Sequence, residues 1–176
     1  MKRQTRALFY LKQAFYFYCL RFFKITLFQY RHLTENEIKL AYQVFGPKLN
    51  YTEILILNMP YLPWQPVNLF MAPTGRLFVN PENYKADYSL ESLAYKGIFI
   101  HELTHIYQYQ QGIQVLFKGA ILQTGYYLSF KRYNPYQYTF KEGKSFWDYN
   151  IEQQAEIAKD IFLNRIPNII LAHHQD

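Results

Sequence analysis

The chain has 176 residues, of which 50% are apolar and 18% charged, so it can bury a core of its own and is not a disordered tail. This length holds one ordinary domain and is too short for two. The net charge of +6 comes from residues 1–31, which carry seven basic side chains and no acidic one, whereas the remainder carries twelve basic and thirteen acidic ones. Because that remainder also shows no nucleic-acid-binding motif, we expect no nucleic-acid partner.

Residues 1–31 form a basic, aromatic N-terminal segment, which we predict to be helical and separate from a domain at residues 32–176. Its longest uncharged run, residues 13–20, is eight residues long, whereas a membrane span needs about 20. No small-residue cleavage site of a signal peptide follows its basic start. We expect the segment to pack on the domain; the alternative is that it lies on a membrane surface or docks on a partner. The single cysteine, Cys19, excludes an internal disulfide.

The first elements of the domain are a helix and a short strand. Thr34 and Glu37 have the spacing of a capping box, so we predict a helix that begins after Thr34 and ends at Gly46-Pro47. Residues 53–58 are predicted to form a strand, because four consecutive apolar residues stand at their centre.

A β-hairpin and further helices are predicted to follow. Three prolines, at positions 60, 63 and 66, indicate an extended loop, and residues 68–71 and 76–80 around Pro73-Thr74-Gly75 predict the hairpin. We expect a long helix over residues 90–111, closed by Gly112, and then a helical pattern broken by Gly119 and Gly125.

The end of the chain is predicted to contain a loop and a last helix. The Tyr-rich residues 133–140 indicate the loop, and residues 150–163 the helix, whose continuation Pro167 bars. Together the elements predict one α+β domain that is mainly helical.

The segment with the clearest chemistry is His101-Glu102-Leu103-Thr104-His105, inside the predicted long helix. Histidines four residues apart lie one turn above each other on the same helix face, so both rings can reach one ion, and zinc suits imidazole ligands. In sites of this pattern the glutamate, here Glu102, takes a proton from metal-bound water. The alternative is a pair of surface histidines with an ordinary helical glutamate.

A zinc site of this class needs a third protein ligand. A histidine at the short downstream spacing is absent, because positions 108 and 111 are both glutamine. Glu152 and Glu156 are four residues apart on the last predicted helix. One carboxylate can complete the ligand set, and the other can accept the second N–H of a ligand histidine. The terminal pair His173-His174 as a ligand and a solvated acidic face remain alternatives.

These motifs resemble the gluzincin pattern of thermolysin-like zinc peptidases. In that pattern a helix with His-Glu-x-x-His is followed by a second helix with Glu-x-x-Ser/Ala-Asp. The resemblance implies a zincin-like fold with Zn²⁺ held by His101, His105 and Glu152. It also implies that Glu156, which stands where the family has aspartate, orients His101.

Residues 32–165 are more specifically similar to Vgr-related proteins, small bacterial zinc peptidases associated with type VI secretion spikes. The segments that carry this similarity are Leu33-Thr34-x-Asn36-Glu37, Tyr61-Leu62-Pro63, the run from Phe99 to Gly112, Tyr133-Asn134-Pro135-Tyr136-x-Tyr138, and the run from Glu152 to Glu156. The similarity implies a bacterial, secretion-associated protein with a secretion-spike partner and, through it, peptidoglycan peptides as substrates.

The sequence therefore predicts a zinc-dependent hydrolase of peptide bonds, in which Glu102 assists the attack of zinc-bound water on a carbonyl. The oxyanion needs one further donor, for which we favour Tyr138 and then Tyr136, although packing roles for both tyrosines are an equal alternative. An edge strand of the hairpin would pair with an extended peptide.

Two other functions remain open at this point. One is a zinc-stabilised interaction module of a secretion spike without catalysis, which a fourth ligand from the chain would favour. The other is an enzyme kept latent by residues 1–31 in its groove.

Overall fold

A computed structural model of the protein describes residues 29–172, which form four α-helices and a three-stranded sheet. This confirms the α+β, mainly helical class. The strands are β1 (Tyr30–His32), β2 (Leu55–Leu57) and β3 (Leu77–Phe78). The helices are α1 (Glu35–Phe45), α2 (Leu93–Gln110), α3 (Val115–Leu128) and α4 (Ile151–Phe162).

The predicted N-terminal segment, with its helix and Cys19, lies outside the described residues except for positions 29–31. Tyr30 and Arg31 belong to β1, so this strand crosses the predicted boundary between residues 31 and 32. Among the described residues, no helix has the length and apolar character that a membrane crossing requires.

The sheet has β2 at its centre, with β1 antiparallel on one side and β3 parallel on the other. Arg31 stands opposite Ile56, and Ile56 stands opposite Leu77. The side chains of Ile56 and Leu77 are fully buried in the single core that the sheet shares with the helices.

The predicted hairpin is wrong in its first strand. Met71 makes one isolated antiparallel bridge with Phe78, and residues 68–70 form no strand. Side-chain amides bond the carbonyls of this segment instead: Asn83 donates to Val67 at 2.8 Å and Gln65 donates to Leu69 at 2.7 Å. Strand β3 instead pairs along its length with β2, which comes from outside the predicted hairpin.

Helix α1 begins and ends as predicted. Thr34 Oγ1 accepts a hydrogen bond from the Glu37 backbone N–H, and the Glu37 carboxylate accepts one from the Thr34 N–H, which completes the capping box. Gly46 ends the helix with a φ of 52°, a conformation that glycine adopts without steric cost.

The carboxylate of Glu37 also forms a buried ion pair with Arg31. Both of its oxygens lie 2.7 Å from guanidinium nitrogens of Arg31, and the Tyr88 backbone N–H donates to the same carboxylate at 2.8 Å. The guanidinium donates further to the Lys85 carbonyl. This one pair therefore ties β1, α1 and the turn before α2 together.

Helix α2 runs through the core, with Phe99, Ile100, Leu103 and Ile106 fully buried. It begins at Leu93, three residues later than predicted, because Tyr88–Leu90 form a separate 3-10 turn and Ser92 caps the helix. Helix α4 packs along α2, and its small residues Ala155 and Ala158 are fully buried.

Helix α3 is continuous, so the predicted breaks at Gly119 and Gly125 are wrong. Both glycines lie beside other parts of the domain at ordinary contact distance. A Cβ at Gly119 would lie 3.9 Å from Glu152 Oε1, and one at Gly125 would lie 3.6 Å from the Tyr133 ring. Residues 133–140 form neither helix nor strand, as predicted.

The ion pair of Arg31 and Glu37 gives a test of the fold. Arg31→Ala leaves a fully buried carboxylate without its cation, so we expect the free energy of unfolding to fall by about 3–5 kcal/mol. In the control Arg165→Ala, the arginine side chain that is removed is 64% exposed. We therefore expect the free energy of unfolding to change by no more than about 1 kcal/mol. Urea unfolding followed by circular dichroism measures both, and equal losses would contradict the assignment.

Candidate metal centre

Two helices bring the three predicted metal ligands together. His101 and His105 lie one turn apart on α2, with ring centroids separated by 5.1 Å. Glu152, in the first turn of α4, places Oε2 3.5 Å from His101 Nε2 and 3.4 Å from His105 Nε2. One potential ligand atom from each residue lies within 4.8 Å of the other two.

Glu156 lies one turn further along α4, beside the other nitrogen of His101. His101 Nδ1 is 3.0 Å from Glu156 Oε1, and the second oxygen of Glu156 accepts a hydrogen bond from Lys159 Nζ at 2.5 Å. With its Nδ1–H donated to Glu156, His101 presents Nε2 to Glu152. The structure thus puts Glu156 where the gluzincin resemblance implies an orienting carboxylate.

The corresponding partner of His105 is Gln108, which sequence reasoning missed. The Gln108 amide nitrogen donates to the Ile151 carbonyl and to Gln154 Oε1, each at 2.9 Å. Its oxygen therefore accepts from His105 Nδ1, also at 2.9 Å. This bond directs His105 Nε2 toward Glu152. The available signal was the three-residue spacing from His105, which puts Gln108 on the same helix face.

Electrostatics couple the imidazoles and carboxylates of the centre. Burial lowers the pKa of His101, but hydrogen bonds with Glu152 and Glu156 outweigh burial and raise this pKa to about 9. Burial raises the pKa of Glu152, but hydrogen bonds with both histidines hold it far below its ordinary value. A cation that binds here must therefore displace protons from the imidazoles, so its binding strengthens as pH rises.

Glu102 is buried beside the two histidines. Burial raises the pKa of its carboxyl above the ordinary value, while the charges of His105 and His101 oppose the rise. The Glu102 carboxylate therefore holds a proton more readily than an exposed glutamate does, which suits a group that accepts and returns protons.

The two predicted tyrosines occupy different positions. The Tyr136 ring lies 6.2 Å from the His101 ring. Burial raises its pKa and the carboxylates of Glu152 and Glu102 raise it further, so its hydroxyl stays protonated and can donate. The Tyr138 hydroxyl instead donates to Asp160 at 2.5 Å. The structure therefore favours Tyr136 over Tyr138 as the tyrosine beside the centre.

Among residues 29–172, the one other histidine, His32, is not part of this cluster. His32 lies in β1, opposite Leu55 of the sheet, and the alternative ligands His173 and His174 lie outside the described residues.

The donor set and its spacing fit zinc. Two imidazole nitrogens and one carboxylate oxygen are typical ligands of a catalytic zinc ion. Donor atoms at about 2.0–2.1 Å from a tetrahedral zinc lie roughly 3.4 Å from one another. The carboxylate oxygen of Glu152 lies 3.4 and 3.5 Å from the two histidine nitrogens, which matches this separation, and all three ligand atoms lie within 4.8 Å of one another.

Comparison with known proteins places the chain in a family. No family model matches it. It is 43% identical over 136 residues, 77% of its length, to the type VI secretion system spike protein VgrG2b of Pseudomonas aeruginosa, and it spans 13% of that protein's length. The solved effector domain of Pseudomonas aeruginosa VgrG2b matches with a TM-score of 0.69 and 43% identity, over 76% of this chain and 73% of the domain. The chain therefore belongs to the family of the VgrG2b effector domain.

Proposed function

We propose that the protein is a zinc-dependent hydrolase of peptide bonds, of the gluzincin type, that acts with a bacterial type VI secretion spike. The observation that carries this proposal is the convergence of His101 Nε2, His105 Nε2 and Glu152 Oε2 beside the buried Glu102. The spike as partner and export as destination come from the name of the relative.

In the proposed hydrolysis, the zinc ion and the side chains of the protein have separate roles. A zinc ion, when bound, lowers the pKa of water so that hydroxide is available at neutral pH, and it polarises a carbonyl. Glu102 accepts the proton of the attacking water and returns it to the leaving amine. Tyr136 donates its hydroxyl to the developing oxyanion. Gln108 and Glu156 hold the two imidazoles in the orientation that binding requires.

The proposed substrate follows from the association of the relative with a secretion spike. The relative belongs to a secretion spike, and this association makes peptidoglycan peptides the first substrates to test. Contact of residues 1–31 with a membrane surface stays a prediction, as does a latent form in which that segment fills the groove.

The second candidate function is a zinc-stabilised interaction module of the spike. The large apolar surface that α3 exposes favours an interaction role. Against a purely structural ion, the cluster among residues 29–172 comprises three ligands, and a three-ligand set is typical of catalytic zinc, which keeps a position for water. A buried glutamate between the ligand histidines also has no use in a structural site.

The metal centre is tested by zinc content. We expect about one zinc per chain in the wild type, and at least about a 100-fold loss of affinity in Glu152→Gln, because even outer partners of zinc ligands contribute about 10–100-fold. Glu142→Gln, in an exposed loop, is the matched control and should bind zinc like the wild type. Mass spectrometry of dialysed protein measures both, and equal zinc in the two variants would remove Glu152 as a ligand.

The role of Glu102 is tested by separating metal binding from hydrolysis. We expect Glu102→Gln to keep its zinc and to lose about 10²–10⁴-fold in kcat on peptidoglycan peptides, because the amide cannot accept the proton. Zinc content and peptide cleavage by chromatography are measured on the same sample. A Glu102→Gln protein that binds zinc and cleaves at the wild-type rate would refute the mechanism.

The two tyrosines form a matched pair of variants. Tyr136→Phe should lower kcat by about 10–10³-fold with KM nearly unchanged, because the hydroxyl acts on the oxyanion. Tyr138→Phe removes the hydrogen bond to Asp160 and should cost about 1 kcal/mol of unfolding free energy with kcat retained. The reverse assignment of the two effects would restore Tyr138 as the predicted donor.

A further inference from the structure

Helix α3 exposes an apolar face on the side that points away from the domain. At 100° per residue, its exposed apolar side chains fall within an arc of about 140°. With Phe130, which follows the helix, they form what we call the outer face: Leu116, Phe117, Ile121, Tyr127, Leu128 and Phe130. Only Val115 of the helix is buried, so the packing of α3 on the domain does not explain the apolar character of this face.

The turn that follows α3 has an unfavourable backbone conformation and leaves the side chain of Phe130 in solvent. Phe130 and Lys131 follow the helix with φ values of 53° and 66°, although neither is glycine. The left-handed conformation costs an ordinary side chain about 1–2 kcal/mol. The turn that requires it projects Phe130, which is 88% exposed, beyond the end of the helix next to the 75% exposed Leu128.

The charges that α3 and the chain on either side of it carry are of one sign. From residue 103 to residue 141 the chain carries no acidic side chain, whereas Lys118, Lys131 and Arg132 are exposed on or directly after α3. A twofold pairing with a second copy would bring these cations together without a carboxylate from the segment to neutralise them. Residues 1–28 carry six basic side chains and no acidic one, so the N-terminal segment is equally unsuited as a cover.

We infer that the outer face binds the surface of an anionic lipid bilayer. Apolar side chains flanked by Lys and Arg, with tyrosines between them, are typical of helices that lie in the membrane interface. At 14 residues the helix is about 21 Å long, shorter than the roughly 30 Å hydrocarbon layer, so it lies on the bilayer and does not cross it. Each Lys or Arg near an anionic surface adds to the attraction.

This inference does not depend on the proposed hydrolase activity, but it implies how far the metal centre would lie from the membrane. Gly119 lies on the inner side of α3, against Glu152. A bilayer on the outer face would therefore lie about one helix diameter, about 10 Å, from Glu152. The centre would then act on groups close to the membrane surface.

The test is sedimentation of the full chain with vesicles. We expect binding to vesicles of phosphatidylcholine with phosphatidylglycerol, and weaker binding to phosphatidylcholine alone or at high salt. The triple variant Phe117→Gln, Leu128→Gln, Phe130→Gln should lower the partition coefficient by at least about tenfold, because each side chain loses apolar burial. Lys131→Gln with Arg132→Gln should lower it severalfold on the anionic vesicles only.

The control changes three exposed apolar side chains elsewhere, Trp64→Gln, Leu90→Gln and Leu93→Gln, and should bind like the wild type. Circular dichroism melting verifies that both triple variants fold. Unchanged vesicle binding of the α3 variant would overturn the inference, and so would binding that is lost only when Lys2, Arg3 and Arg6 are changed to Gln. A wild-type dimer that the α3 variant converts to monomer, without lipid binding in either, would overturn it in favour of a second copy.

Discussion

The packing of α4 against α2 is the constraint on which the metal centre depends. Glu152 reaches both histidines only because the first turn of α4 lies directly beside the middle of α2. Gln108 fixes this position, since its amide holds the Ile151 carbonyl and Gln154 on α4 while its oxygen holds His105. A rotation of α4 by one residue would turn Glu152 about 100° away from the histidines. One buried amide therefore sets both the helix register and the orientation of a ligand.

The same packing buries the imidazoles of His101 and His105 and the carboxylate of Glu152. Their charged forms persist away from water because opposite charges lie beside one another. Burial alone would discharge Glu152 and both imidazoles, but their mutual hydrogen bonds reverse the expected pKa shifts. Burial raises the pKa of Glu156, but hydrogen bonds with His101 and with Lys159 hold the pKa of this carboxyl at about 2. A divalent cation suits this arrangement, because it can replace the imidazole protons as the partner of the carboxylates.

The sequence predicted what local spacing determines. His101 and His105 are four residues apart on a helix, so periodicity alone brings them to one face, and the capping box of Thr34 and Glu37 is likewise local. Spacing nominated the pair Glu152 and Glu156, but the choice of Glu152 as the ligand came from a resemblance, because no local rule relates two helices that are 40 residues apart. The hairpin failed for the same reason, since the partner of β3 is the distant β2. The choice between Tyr136 and Tyr138 lies in an irregular loop, where no period sets the direction of side chains.

The two glycines of α3 connect the centre with the outer face of the helix. Glycine inside a helix costs about 1 kcal/mol relative to alanine, yet α3 carries two and is unbroken. A Cβ at Gly119 would lie 3.9 Å from Glu152 Oε1, and one at Gly125 would lie 3.6 Å from the Tyr133 ring, both ordinary van der Waals distances. Tyr133 stands at the start of the loop that brings the Tyr136 ring to 6.2 Å from the His101 ring. Val115 is the one side chain of α3 that is buried against the domain. The apolar side chains of α3 therefore point outward, where only a binding partner can bury them.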